Sequence, residues 1–156
     1  MRVLLVSSNT LKEPYPVYPL GLDYVSGAIA AKHQVQIADM NCLGDRNSLA
    51  SIIEAFSPDV IGMSLRNIDN TDTTDPRGFI GQYRVIVDTI RNHTDVPLVL
   101  GGSGFTIFPD ETIKALDADY GIIGEGERLG LLLNAIQNRE DTGSIPVCLL
   151  YTSPSP

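Results

Sequence analysis

The chain has 156 residues, 43% of them hydrophobic and 19% charged, which fits one globular domain with its own core. A formal net charge of -8 argues against nucleic-acid or anionic-membrane binding, because both need clustered Lys and Arg. Two cysteines, two histidines, no leader expected before the strand-like start and no apolar run of roughly 20 residues argue against a disulfide framework, a zinc cluster and a membrane span, so a reducing cytoplasm is expected.

Apolar β-prone runs alternate with helical spacings along the chain. Residues 2–6 read as a first strand, followed by a Pro-rich loop over 7–19. Residues 20–31 read as a helix with Leu22, Val25, Ala28 and Ile29 on one face. A short strand is expected at 35–38. A helix capped by Asn47 or Ser48 then runs to Phe56, where Pro58 stops it. Val60–Ser64 reads as a third strand. Residues 80–92 read as a helix with Val85, Ile86, Thr89 and Ile90 inward. A fourth strand at 98–100 enters Gly101-Gly102, a short helix spans Pro109–Leu116, and a fifth strand at 120–123 enters Gly124-Glu125-Gly126. The last helix is expected over 127–137.

Five strands alternating with five helices imply parallel βαβ units with right-handed crossovers. The strands are continuous apolar runs, as in sheets covered on both faces. The expected fold is α/β: a flavodoxin-like, doubly wound, parallel five-stranded sheet of order 2-1-3-4-5 with helices on both faces. Residues 1–138 form that domain and 139–156 a linker and tail. From Cys148 the tail lacks α/β periodicity, ends on Pro-Ser-Pro, and back-translates into a transposase sequencing adapter. It is expected to be foreign to the fold, with a natural disordered tail as the alternative, and to make no stable tertiary contact.

In such a sheet a ligand sits beyond the carboxyl ends of the strands. Ser64 there offers a hydroxyl to a ligand or caps local backbone. Gly101-Gly102-Ser103-Gly104 lets a large flat ligand approach the backbone, or makes a plain tight turn. Gly124-Glu125-Gly126-Glu127 has backbone N–H groups for a phosphate or amide, although its carboxylates repel anions. The loop carrying Tyr15, Tyr18 and Leu20 is rigid and aromatic: an apolar wall for a planar ligand, or a surface lid packed on the core. Several chemistries lack their residues. No G-x-G-x-x-G follows the first strand, as dinucleotide binding requires. The prolines after Ser7 and Ser8 spoil a flavin phosphate loop. A phosphoacceptor receiver would need an acidic pair after strand one and a Lys after strand five. No histidine falls near Ser7, Ser64 or Ser103 in the expected loops to make a nucleophile–base pair.

Val3-Leu4-Leu5-Val6, Tyr18-Pro19-Leu20-Gly21-Leu22, residues 58–67, Val99-Leu100-Gly101-Gly102 and Gly124-Glu125-Gly126-Glu127 stand in an order and spacing that resembles the cobalamin-binding domain of B12-dependent radical-SAM enzymes. The resemblance covers about residues 1–138. It implies a corrinoid across the carboxyl edge with its nucleotide tail inserted along the sheet. The cofactor-binding set it implies is Tyr18, Leu20, Ser64, Leu65, Arg66, Asn67, Gly101, Gly102, Gly124, Glu125 and Gly126, with no catalytic residue and no metal ligand. Gly102 is expected to touch the tail closely enough that Gly102→Val harms binding more than folding. Better-known B12 domains carry Asp-x-His-x-x-Gly after strand one; this chain has no His before His33, so cobalt is expected base-off, with no protein histidine on it. The family's Cys-x-x-x-Cys-x-x-Cys is also missing. Its iron–sulfur cluster and S-adenosylmethionine are therefore expected in a further C-terminal radical-SAM domain, and the fragment is expected to be the binding module of a methyltransferase. Nucleic-acid and membrane partners are not expected. A flavodoxin-like protein binding flavin or nucleotide, and a degenerate B12-like interaction domain, remain as alternatives.

Overall fold

The computed structural model describes residues 1–66, 78–145 and 148–150. In chain order the elements are β1 (Arg2–Ser7), α1 (Leu20–Ile29), β2 (Gln34–Asp39), α2 (Met40–Leu43), α3 (Arg46–Phe56), β3 (Val60–Ser64), α4 (Gly78–His93), β4 (Leu98–Gly101), α5 (Ser103–Ile107), α6 (Pro109–Leu116), β5 (Tyr120–Ile122), α7 (Leu129–Asn138) and β6 (Cys148–Leu150). A 3-10 turn at Gly126–Arg128 leads into α7. The sheet order is β2-β1-β3-β4-β5-β6. The first five strands are parallel, in the expected 2-1-3-4-5 order.

β6 was not expected. It pairs antiparallel with β5, Tyr120 opposite Leu150 and Ile122 opposite Cys148. The expectation that the tail from Cys148 makes no tertiary contact therefore fails for these three residues. Pairing of this kind uses backbone groups, which an extended segment offers whatever its side chains.

Strand alternation splits the core in two. Leu4, Val6, Ile61, Met63, Leu98 and Leu100 pack with α3, α4 and α6 on one face. Val3, Leu5, Val60, Val99 and Ile122 pack with α1 and α7 on the other, where Leu132 and Leu133 are wholly buried. In α4 the inward residues include Tyr83, Ile86, Val87 and Ile90, a spacing of three, one and three. Val85 is not inward as expected; it falls between the buried turns and is 40% exposed. The cap of α3 is Asp45, whose carboxylate accepts from the Ser48 N–H at 2.8 Å, rather than Asn47 or Ser48 themselves. Asp39 likewise caps α2. At the amino edge, the Asp119 carboxylate accepts from the Arg91 guanidinium at 2.8 Å and from the Leu98 N–H at 2.7 Å, tying α4 to the start of β4. Among the described residues no helix is long and apolar enough to cross a membrane.

Candidate functional site

On the α1/α7 side a groove of about 700 Å3 opens at the carboxyl edge. Its geometry follows from strand register. Ser7 lies beside Ser64, and Ser64 beside Gly101, so two hydroxyls and a bare backbone form a row at the rim. Two residues deeper, on the same face, Leu5, Gly62 and Val99 form a second row. Glycine in the middle of that row makes room for the Leu5 side chain, whose Cδ2 lies 2.9 Å from where a methyl group on Gly62 would stand. Leu22 and Val25 of α1 form one wall, and Ile122 at the end of β5 faces them. The groove is thus hydroxyl-bearing at its mouth and apolar at its floor.

Most of the expected site residues meet here. Tyr18, Leu20, Ser64, Leu65, Arg66, Gly101, Gly102, Gly124 and Gly126 all line the groove. Glu125 does not; its carbonyl accepts from the Arg128 N–H within the 3-10 turn. Asn67 lies outside the described residues. Leu65 contributes backbone, since its side chain is fully buried in the core on the opposite face. Tyr18 and Leu20 are 62% and 70% exposed and form an apolar lip. The Tyr18 hydroxyl is hydrogen-bonded to the Asp23 carboxylate, which, with lesser help from desolvation and the charges of Asp23 and Asp39, pushes the phenol above its ordinary value.

The glycines divide into two kinds. Gly102 has φ 94°, and a methyl group there would stand 2.6 Å from the Leu65 carbonyl oxygen and 2.8 Å from Ser64 Oγ. The protein itself demands this glycine, so the expectation that Gly102→Val harms binding more than folding is corrected: folding suffers first. Gly126 packs against Val25 of α1 and is required for the same kind of reason. Gly101 differs, having only the Ile122 carbonyl oxygen within 4 Å of such a methyl, at 3.9 Å. Its open side belongs to the groove. The Gly124 N–H, expected to be free for a ligand, already donates to Thr106 Oγ1 at 3.1 Å.

The floor residues Leu5, Gly62 and Val99 were not singled out in the sequence, where they look like ordinary core. One signal was available: a glycine inside the apolar run of a central strand marks a close approach of something else to the backbone. Both histidines stand at the amino edge, away from the groove. His33 follows α1 next to Gln34, whose N–H bonds to the Met1 carbonyl, and His93 ends α4 beside Glu54 at 3.7 Å. Among the described residues no cluster of three His, Cys, Asp or Glu is placed to hold a metal ion.

A family model described as "B12 binding domain" matches residues 8–130. The tryptophan 2-C-methyltransferase of Streptomyces laurentii is 28% identical over 130 residues, 81% of this chain and 21% of that enzyme. The radical S-adenosylmethionine methyltransferase TsrM of Kitasatospora setae, solved with tryptophan and a SAM analogue, superposes with a TM-score of 0.89 at 33% identity, over 97% of this chain and 28% of its own. The same enzyme with cobalamin and a [4Fe-4S] cluster gives 0.89 at 31% identity. This chain therefore spans about a quarter of the relatives it matches.

Proposed function

The chain belongs to the B12-binding domain family, and we propose that it holds a cobalamin for a B12-dependent radical-SAM methyltransferase, with the nucleotide tail in the groove and the corrin across the carboxyl edge. The observation that carries this reading is the pair of rows at the centre of the sheet. Gly101 opens the rim on the same face as the apolar floor of Leu5, Gly62 and Val99, and only the Ile122 carbonyl oxygen lies within 4 Å of where a methyl group on Gly101 would stand. A side chain at Gly101 would narrow that opening.

The residues present fit such a group. Ser7 and Ser64 offer hydroxyls where a sugar–phosphate segment would pass, and Arg66 supplies a cation at the mouth. Tyr18 and Leu20 give a flat apolar surface beneath a macrocycle. When bound, cobalamin supplies the cobalt centre that carries a methyl group; the chain supplies binding and orientation. A tail lying in the groove would hold its base off cobalt, and since both histidines of the sequence stand at the amino edge, no protein imidazole would take its place. S-adenosylmethionine and the iron–sulfur cluster would belong to a further domain of the kind the longer relatives contain. The flavin alternative is disfavoured, because α1 starts at Leu20, a dozen residues after β1, and its N-cap Pro19 makes no side-chain cap. No helix N-terminus directly follows β1 to receive a phosphate.

The test is a visible-absorption titration with hydroxocobalamin and with cobinamide, which lacks the nucleotide tail. Cobalamin is expected to bind and cobinamide to bind at least roughly tenfold more weakly, since it leaves the groove empty. No binding of cobalamin would overturn the reading and leave the interaction-domain alternative.

A further inference from the structure

We propose that the floor of the groove selects the base at the end of the corrinoid tail, favouring dimethylbenzimidazole over a purine. This rests on the corrinoid reading above and goes beyond it, from which cofactor is held to which form of it. The polar part of the groove ends at Ser7 and Ser64. The row below them, two residues and thus about 7 Å deeper along the strands, is Leu5, Gly62 and Val99, closed by Leu22, Val25 and Ile122. Not one of these six residues carries a hydrogen-bonding atom beyond its backbone.

The backbone offers no substitute. Gly62 is paired with Leu5 on one side and Val99 on the other, so the N–H and C=O groups of the floor are spent in the parallel ladders. Adenine brings ring nitrogens and an exocyclic amine, and at this depth they would lose water and gain no partner. Dimethylbenzimidazole brings two methyl groups and an apolar ring, which lose nothing by leaving water there. The Leu5 side chain, whose Cδ2 lies over Gly62, sets how far either base can descend.

The experiment compares cobalamin with the corrinoid that carries adenine in place of dimethylbenzimidazole, each titrated by calorimetry into the wild-type chain and into Val99→Thr. The substitution keeps the branched shape that suits β4 and puts one hydroxyl on the floor. Thermal melting checks that the variant is folded. Wild type is expected to bind cobalamin at least roughly tenfold more tightly, the discrimination a buried apolar pocket commonly gives, and Val99→Thr is expected to narrow that ratio several-fold. Because both proteins meet the same two free ligands, differences between the corrinoids in solution cancel from the comparison. Equal affinities in wild type, a purine preference, or a ratio unchanged by Val99→Thr would overturn the selection while leaving cobalamin binding intact. If neither corrinoid binds, the functional reading falls and this inference falls with it.

Discussion

Gly101 and Gly102 are neighbours in sequence, yet substituting them should have opposite consequences. Gly101 ends β4 with its open side toward the groove, and a new side chain there meets only the Ile122 carbonyl oxygen, at 3.9 Å. Gly101→Val should therefore fold, valine being at home in a strand. Its methyl groups would occupy the slot where the tail is proposed to pass. Overpacking of this kind costs about 1–3 kcal/mol, which is roughly 5- to 150-fold in affinity. Gly102, at φ 94° and ψ 171°, occupies a region almost reserved for glycine, and even alanine would press on the Leu65 carbonyl. Gly102→Ala should cost about 2 kcal/mol or more, a fall of roughly 4–8 °C in melting temperature for a domain of this size. Hydroxocobalamin titration and thermal melting, run on both variants, separate the two effects. Unchanged cobalamin affinity in a well-folded Gly101→Val would remove the groove from the site. A Gly102→Ala that melts like wild type would refute the steric account of the glycines.

Two further outcomes follow from ionisable groups. Burial, aided by the chain's amino terminus and Lys32, pushes the His33 imidazole below its ordinary value. The folded chain then binds this proton less readily than the unfolded chain, whose imidazole titrates near about pH 6.5, so stability falls as pH drops through that value and is unaffected well above it. Urea midpoints at pH 7.5 and 5.5 should differ less in His33→Leu than in wild type; an equal difference would show that His33 is not responsible. The Cys42 thiol is hydrogen-bonded to the Asp39 carboxylate at 3.5 Å, which raises its pKa. Asp39→Asn keeps a competent cap on α2 and should speed alkylation of Cys42 by iodoacetamide at pH 8 by at least roughly threefold. The modified peptide, followed by mass spectrometry, reads the rate, and no acceleration would discount the carboxylate.

Much of the fold was legible because parallel strands covered on both faces are written as unbroken apolar runs. Val60–Ser64 was read to the residue, and the order of the first five strands followed from their alternation with helices. α2 and α5, of four and five residues, escaped because neither is long enough to show a period. Asp45 escaped as a cap because Asn47 and Ser48 beside it are equally good capping types, and only geometry decides among them. At the site the rim was legible in Ser64 and the Gly101-Gly102 pair, whose residue types are unusual at a strand end. The floor was not, since Leu5 and Val99 serve a groove with the same side chains that would serve a core. Gly102 was correctly noticed but given the wrong partner: what presses on it is Leu65, brought there by the Leu65 N–H bond to the Gly101 carbonyl at 2.8 Å.

β6 has a bearing on how this sheet meets other chains. A strand at the end of a sheet presents unpaired N–H and C=O groups, and any extended peptide can dock there, including another copy. The antiparallel return of Cys148–Leu150 covers β5 and moves the open edge onto a strand of three residues, too short to offer much to a partner. At the opposite end β2 discourages it by composition, with Gln34 and Gln36 interrupting its apolar residues. The two flanks thus differ: one ends on a short strand whose backbone pairing does not distinguish leucine from any other residue, and the other is guarded by side chains. An extended segment of different sequence following α7 would shield β5 equally well, whereas replacing the glutamines of β2 with valines would expose a sticky ribbon that nothing else among the described residues covers.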